Sequence, residues 1–499
     1  FAIWDEQKQK LFCARDHMGV KPFLYYHDDF FFAFASEKKG LLALNSLNKE
    51  INEDYLLKVM GNIAPDAEET LYIHIKKLTG AHTLIIQQGK ININRYWDLD
   101  ITKEIHYADP QQYIDRFLEL FREAVRCRLR SAYPVGAELS GGLDSSGITA
   151  IAAELLHAEG REIYSISYGL TPEQAAAITI KTEEAFADEV IRFAKIDHPI
   201  KVCSSGYNHF LEEADLSLRI NDGPNYQTIW HNPVKKAAGA HRIRVLLSGF
   251  PGDELVTNYS RMFVMEHAIK GEYKTFFKAA RNKYGRIGAL KLLGQTKGQR
   301  YFEILKPWLN QKEIKRRKGD ERNFLPPGYF KRIEKFIAIA AWPQNFREVQ
   351  KRFILAGHVS GRMEMEGRNS LLYKTESRFP MADIRLIEYV LALPFAEKAS
   401  MQVNRFLYRR AMKGIIPDIV VNRRDKTTIM QPFILKELRT EQEEARAWMQ
   451  HLKQEDKIPD YIDFDKLMQL SPDADNPIHR ASGMQKKAMI ILNWNAKKR

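Results

Sequence analysis

The run Val135 to Leu139 ends at Ser140-Gly141-Gly142-Leu143-Asp144-Ser145-Ser146, and a helical pattern starts immediately after it. Two adjacent glycines let the backbone turn sharply between a strand and a helix and bring its N–H groups close to an anion. Ser145 and Ser146 add hydroxyl donors at the positive end of that helix, so the loop has the composition of a phosphate cradle. Neither GxxxxGK[ST] nor GxGxxG occurs in the chain, which excludes a Walker loop and a dinucleotide fingerprint. Asp144 would repel a bare phosphate. Its presence inside the cradle makes sense if it holds a magnesium ion.

The flanking pattern sets the fold class. It reads helix 110–131, strand 135–139, helix 145–157, strand 162–168, helix 183–195, a short strand near 200–202 and a strand over 242–247. Strands separated by helices predict an α/β domain with a parallel sheet covered on both faces. Residues 169–182 show no core face and read as a loop, and from Arg261 the pattern is mainly helical. Residues 1 to about 100 alternate apolar and polar positions, a β-rich unit in which the Phe30 to Phe34 strand needs a covering layer. The period changes between Trp97 and Pro110. We therefore assign 1–105 to one domain and 106–499 to a second, with a basic helical insertion at 260–345.

Composition narrows the partners. With 499 residues, 44% of them hydrophobic, the chain can bury a substantial core. Its three cysteines are too few for a disulfide scaffold, a CxxC pair or a zinc ribbon, which points to a reducing, cytoplasmic setting. Cys13 lies within a strand pattern and reads as core packing. No apolar run approaches the roughly 18 to 20 residues of a membrane span. The net charge of +13 invites a nucleic-acid reading, but residues 270–335 hold 19 Lys and Arg against 6 Asp and Glu and carry the whole excess. Apolar residues such as Phe276, Leu290 and Leu293 at helical spacing predict amphipathic helices there, with a basic face for an anionic partner.

The seven-residue loop resembles the pyrophosphate loop of the ATP pyrophosphatases, enzymes that cleave ATP between its α and β phosphates and pass AMP to a substrate. Phe1-Ala2-Ile3-Trp4-Asp5, Ala14-Arg15-Asp16, Gly19-Val20-Lys21-Pro22 and Phe34-Ala35-Ser36-Glu37 resemble the later half of the glutaminase domain of asparagine synthetases. Leu247-Ser248-Gly249 with Gly252-Asp253-Glu254-Leu255, Glu376-Ser377-Arg378-Phe379-Pro380 with Asp383, and Arg423-Arg424-Asp425-Lys426 continue the match in that family's order. The resemblance covers nearly the whole chain apart from parts of 256–360. It implies an adenine-nucleotide α-hydrolase-like parallel sheet with a helical C-terminal region, behind a partial glutaminase-like domain of the Ntn type, and it implies ATP and Mg2+ as cofactors. The implied reaction adenylates a carboxylate, of a small molecule or a peptide, and passes the acyl group to ammonia or an amine.

By the same resemblance Asp144 and Asp253 bind the metal. Ser140, Gly141, Gly142, Asp144, Ser145 and Ser146 bind ATP and its pyrophosphate, and the backbones of Leu139 and Gly249 flank adenine. Lys426 contacts the α-phosphate during adenylation and amide formation. Glu376 stands near the acyl intermediate, where it orients groups or transfers a proton.

Two departures qualify the match. Asparagine synthetases carry glutamate after the second Ser-Gly, where this chain has Phe250, whose ring can neither take a proton nor hold an ammonium-like nucleophile. The departure points toward a larger acceptor, as in the lasso-peptide macrolactam cyclases of this family, whereas the breadth of the family favours asparagine formation. Glutaminase activity needs an N-terminal cysteine, and residue 1 is Phe. We read the chain as lacking its true beginning, or as a domain retained for support beside free ammonia or an amine. An RNA-modifying adenylating enzyme would match the basic segment, but sulfur-transferring members use paired cysteines that this chain lacks. Survival of Asp144, Asp253 and Lys426 argues against a retired scaffold.

Overall fold

The computed structural model describes residues 1–61, 63, 65–169, 183–203, 210–221, 223, 231–257, 266–268, 270–297, 302–318, 324–337, 346–355, 357–400, 403–424, 443–469 and 488–496. The loop reading for 169–182 falls, from residue 170 on, outside them.

Strands β1 (Ala2–Asp5), β2 (Lys10–Ala14), β6 (His82–Gln87) and β7 (Lys90–Arg95) form an antiparallel sheet in the order β1-β2-β6-β7. A three-stranded sheet, β4-β3-β5, is built from β3 (Leu24–His27), β4 (Phe32–Ala35) and β5 (Ile75–Lys77). Strand side chains alternate, so Tyr25 joins Cys13, Phe23, Leu78 and Leu84 in one small core while Leu24 and Tyr26 join Leu41, Leu47 and Ile75 in another. Cys13 is fully buried, and burial pushes its thiol up to about 11, in keeping with a packing role. Phe30 belongs to a turn rather than to the strand: the Asp28 carboxylate accepts the N–H groups of Phe30 and Phe31, so β4 begins at Phe32 and Phe30 stands 92% exposed.

The second unit contains the expected parallel sheet. Its order is β10 (His198–Val202), β9 (Ile163–Tyr168), β8 (Val135–Glu138), β11 (Val245–Leu247) and β12 (Glu376–Arg378). Every neighbouring pair is parallel. From β8 the chain proceeds outward through β9 to β10, then returns to the other side of β8 with β11, so the strand order reverses at β8/β11. That reversal opens a crevice beyond the carboxyl ends of these two strands, the usual ligand position in open α/β sheets.

The helices depart from the sequence reading at their ends. Asp109 and Gln112 form a capping box for Pro110–Arg126, which buries Tyr113, Phe117, Leu120, Phe121, Ala124 and Val125 and stops at Arg126, five residues before the expected end. Leu143–Ala158 begins two residues earlier than expected and so takes Asp144 into its first turn. β11 is shorter than the expected 242–247 because Arg242, at φ +56, and the Ile243 N–H bonded to the Ala238 carbonyl close the preceding helix, Asn232–Ala240. β12 carries no strand signature in the sequence, because Glu-Ser-Arg presents no apolar run.

In the basic segment, Tyr273–Lys297 and Phe302–Lys318 are helical. Phe276, Ala280 and Ala289 pack with Ala268 in a cluster of their own, but Ile287 and Leu290 stand 72% and 60% exposed, so the expected apolar face is only partly formed. Several cations are taken up internally. Arg316 and Arg317 grip Glu313, and Arg332 pairs with Glu53 and Asp54 at the start of the helix Glu53–Met60. That helix puts Leu57 and Met60 into a second large core with Phe324, Leu325, Phe330 and Ile333 and with the C-terminal residues Ala488 to Leu492. No helix of the described residues is long and apolar enough to cross a membrane.

The two units also meet through a buried charge. Arg15, 4% exposed, donates to the carbonyls of Gly19, Lys21 and Leu78 and to the Glu364 carboxylate on the helix Gly357–Leu372. Burial would raise the Glu364 carboxyl, but Lys77, Arg15 and Arg368 outweigh it and hold it at about 2. A lowered carboxyl stabilises fully above its ordinary value of 4.5 and loses that contribution as pH falls toward 2. Denaturant unfolding across this range should show Glu364→Gln with a flatter acid limb than the parent and, at pH 7, a loss of about 3–5 kcal/mol because Arg15 is left buried and unpaired.

Candidate active site

Two loops meet at the β8/β11 crevice. The first leaves β8 at Leu139 and passes through Gly141 at φ +74, a left-handed conformation that a side chain would strain. A Cβ on Gly141 would also lie 2.5 Å from the Glu183 carbonyl oxygen. The loop then enters Leu143–Ala158 with Gly142 as its N-cap. Ser140 N–H donates to Ser145 Oγ at 3.2 Å, Gly142 N–H donates to Ser140 Oγ at 3.3 Å, and the two hydroxyls lie 3.0 Å apart. The polar groups of the cradle thus hold one another in place around the helix N-terminus.

The second loop leaves β11 as Ser248-Gly249-Phe250-Pro251-Gly252-Asp253, with a cis peptide bond before Pro251. Its glycines permit a close approach to the first loop: a Cβ on Gly249 would lie 3.0 Å from the Ser145 nitrogen, and one on Gly252 would lie 2.7 Å from Asp144 Cγ. The approach brings Asp144 and Asp253 to one guanidinium. Arg405 Nη1 lies 2.9 Å from Asp144 Oδ2, and Nη2 bonds Asp253 Oδ1. Burial would lower the Arg405 pKa, but Asp144 and Asp253 raise it overall.

A cavity of about 350 Å³ opens here, lined by Leu139, Ser140, Gly142, Asp144, Ser145, Gly249 and Asp253 among the expected residues. Arg362, Arg405, Arg409, Arg423 and Arg424 give it a cationic wall, and Glu138, Glu183, His231 and Glu254 also line it. Arg409 bonds the carbonyls of Asn404, Val421 and Arg423, and Arg423 pairs with Glu183 over the Phe186 ring. At one end the Arg362 guanidinium sits 4.1 Å from the centre of the Phe250 ring, which meets Phe379 edge-on at 6.3 Å. Behind it, Lys235 and Glu366 form a buried ion pair. Burial pushes the His231 imidazole down; burial would also raise the Glu366 carboxyl, but the surrounding His231, Lys235 and Arg362 hold it below the usual carboxylate range.

Not every expected residue reaches this cavity. Gly141 shapes the loop from outside it, and Ser146 is fully buried one position further along the helix, on a face turned to the core. Glu376 stands at the start of edge strand β12, where Lys21 at 2.6 Å and Arg378 at 2.8 Å hold its carboxylate in a separate cleft with Asp16, Arg128 and Arg385. Lys426 lies outside the described residues, two positions after the cavity-lining Arg424. Sequence reasoning missed Glu138, His231, Arg362, Arg405 and Arg409, because isolated polar residues carry no periodic signal; only the i, i+4 spacing of Arg405 and Arg409 hints at a shared helix face.

No group of three or more His, Cys, Asp and Glu side chains suited to a metal occurs among the described residues. A pair of carboxylates already converging on a cation nevertheless fits magnesium, which usually takes one or two protein carboxylates and completes its shell with phosphate oxygens and water.

A parallel sheet that reverses its order beside a glycine–serine loop and a carboxylate pair defines an adenine-nucleotide α-hydrolase-type domain. The chain belongs to the asparagine synthase family, whose model matches residues 116–496, and a glutamine amidotransferase domain model matches residues 1–97. It is 29% identical over 437 residues to asparagine synthetase [glutamine-hydrolyzing] 3 of Bacillus subtilis (strain 168), covering 85% of this chain and 66% of that protein. Asparagine synthetase [glutamine-hydrolyzing] 1 of the same organism is 25% identical over 99% of this chain and 77% of its own length. The amidase chyE of Penicillium rubens is 23% identical over 52% of this chain and 39% of its own.

Gly252 is the position where the two loops leave no space. Gly252→Ala should displace the Asp144 carboxylate and weaken adenine-nucleotide binding about tenfold by calorimetry, a cost near 1.4 kcal/mol, while the melting temperature stays close to that of the parent.

Proposed function

We propose that this chain carries the synthetase half of an AMP-forming carbon–nitrogen ligase. The observation that supports this reading best is the convergence of Asp144 and Asp253, from separate loops, beside the Ser140–Ser145 cradle. In the first step an acceptor carboxylate oxygen attacks the α-phosphorus of ATP; the new O–P bond forms as the bond to pyrophosphate breaks. Both reactants are anionic, so the site must supply positive charge and fixed geometry. The loop N–H groups, the hydroxyls of Ser140 and Ser145 and the helix N-terminus would receive the β and γ phosphates, with Arg405, Arg409, Arg423 and Arg424 around them. Asp144 and Asp253 would hold magnesium, which when bound neutralises phosphate charge. Leu139 and Gly249 would flank adenine.

In the second step ammonia or an amine attacks the acyl carbon, AMP leaves with the bonding pair, and the nitrogen loses a proton to solvent or to a nearby base. Lys426 would stabilise the charge on the α-phosphate in both steps. Glu376, engaged by Lys21 and Arg378, would act by positioning: it fixes β12, and three residues later Phe379 packs on Phe250.

Aspartate with ammonia, yielding asparagine, is the first acceptor pair to test. The Phe250–Arg362 pair favours a second reading, a peptide carboxylate captured by an internal amine as in lasso-type macrolactam cyclases, because that end of the cavity offers an aromatic face and a cation where asparagine synthetases carry glutamate. Carboxylate-dependent exchange of pyrophosphate into ATP should separate the two acceptors, and capture by the amine should then release AMP. Lys426→Ala should lower this exchange by about 100-fold, the scale of losing one donor to a developing oxyanion. Release of ADP instead of AMP, or exchange with neither acceptor, would reject the reading.

A further inference from the structure

A role toward phosphate does not by itself explain why Arg405 sits between Asp144 and Asp253. Arg405 precedes the helix Phe406–Ala411 with a left-handed backbone, φ +57, and its side chain is only 11% exposed. The base from which it projects is firmly held. Tyr408 is buried against Phe117 and Phe121 at ring separations of 5.9 and 5.8 Å, and Arg409 ties the helix to the carbonyls of Asn404, Val421 and Arg423. From that base the guanidinium takes up one oxygen of Asp144 and one of Asp253. A planar fork of donors suits two acceptors on different loops, where a single ammonium would not.

Those two oxygens belong to the carboxylates assigned to magnesium. A guanidinium and a divalent cation set between the same two carboxylates compete for their oxygens and repel each other. The triphosphate would offer the displaced guanidinium new acceptors, because Arg405 and the Ser140–Ser145 cradle line one cavity. We propose that Arg405 is a resident counter-cation that holds the two carboxylates converged and gives up its place to the metal only as the nucleotide enters. The inference rests on the metal assignment of the preceding section. It makes metal and nucleotide binding mutually dependent: the metal alone must evict Arg405 into a cavity with no phosphate to receive it, whereas the metal–nucleotide complex supplies that receiver.

The test uses Mn2+ as the probe, with free ion counted by electron paramagnetic resonance, on the full chain with and without α,β-methylene ATP, which cannot be cleaved at the reacting bond. The parent should bind Mn2+ weakly alone, and the analogue should tighten it at least about tenfold. Arg405→Asn removes the charge and keeps a residue that tolerates the left-handed backbone. It should bind Mn2+ alone about tenfold more tightly than the parent, with less than about threefold further gain from the analogue. Arg405→Lys, which keeps the charge but not the fork, should fall between them and guards against a folding defect in the first variant.

Metal affinity of Arg405→Asn equal to or below the parent's, with the parent's dependence on the analogue retained, overturns the inference while leaving the ligase reading intact. Failure of parent and variants alike to bind Mn2+ even with the analogue overturns the metal assignment and this inference with it. Unchanged tight binding when Asp144→Asn is added to Arg405→Asn places the ion elsewhere and has the same effect.

Discussion

Parallel pairing of β8 with β11 is the constraint on which the site depends. Val135 lies opposite Val245 and Ala137 opposite Leu247, residues more than a hundred positions apart in the chain, and this pairing brings the loops that leave these strands together. The strand interiors are almost entirely buried, so a slip in register would expose apolar side chains as well as separate the loops. Glycine does the rest. At 249 and 252 the second loop comes within contact distance of Ser145 and Asp144, which places the two acidic groups by backbone packing instead of by long flexible side chains.

Around this point the charge is graded. Carboxylates sit on the two loops that the sheet delivers, whereas the arginines come from segments that pack over the crevice: Arg362 from the helix Gly357–Leu372, Arg405 and Arg409 from residues around Phe406–Ala411, and Arg423 and Arg424 from the stretch after Val421. The sheet side can thus bind a cation while the helical side faces an anion. The carboxylates of Glu364 and Glu366, two residues apart, are both buried; one holds Arg15 of the N-terminal unit and the other holds Lys235 behind the cavity, so the same helix reads both units.

The parallel sheet and the loop at its switch point were legible because β8, β9 and β11 are short, mostly apolar runs and the helix Pro110–Arg126 shows a clear 3.6-residue period. β12 was not, since Glu376-Ser377-Arg378 has no strand signature and takes its place from Arg244 and Thr375, which supply backbone and side-chain bonds next to β11. The loop residues Ser140, Asp144 and Asp253 could be read from local composition. Arg405 could not, because its meaning lies in what it meets across 261 positions from Asp144, and no pattern within a window of twenty residues encodes that meeting. Glu376 was legible as a motif but not in its orientation, which is set by Lys21 from the other unit.

The short helix Glu53–Met60 belongs by sequence to the N-terminal unit, yet its apolar side faces Phe330, Ile333 and the last described helix of the chain. Severing the chain between the β-rich and α/β portions would strip a face from each and expose Leu57 and Met60 on one fragment and their neighbours on the other. A cut at the seam that composition suggests would therefore leave an apolar face open on each side, so this helix and its distant partners form one packing unit that straddles the seam.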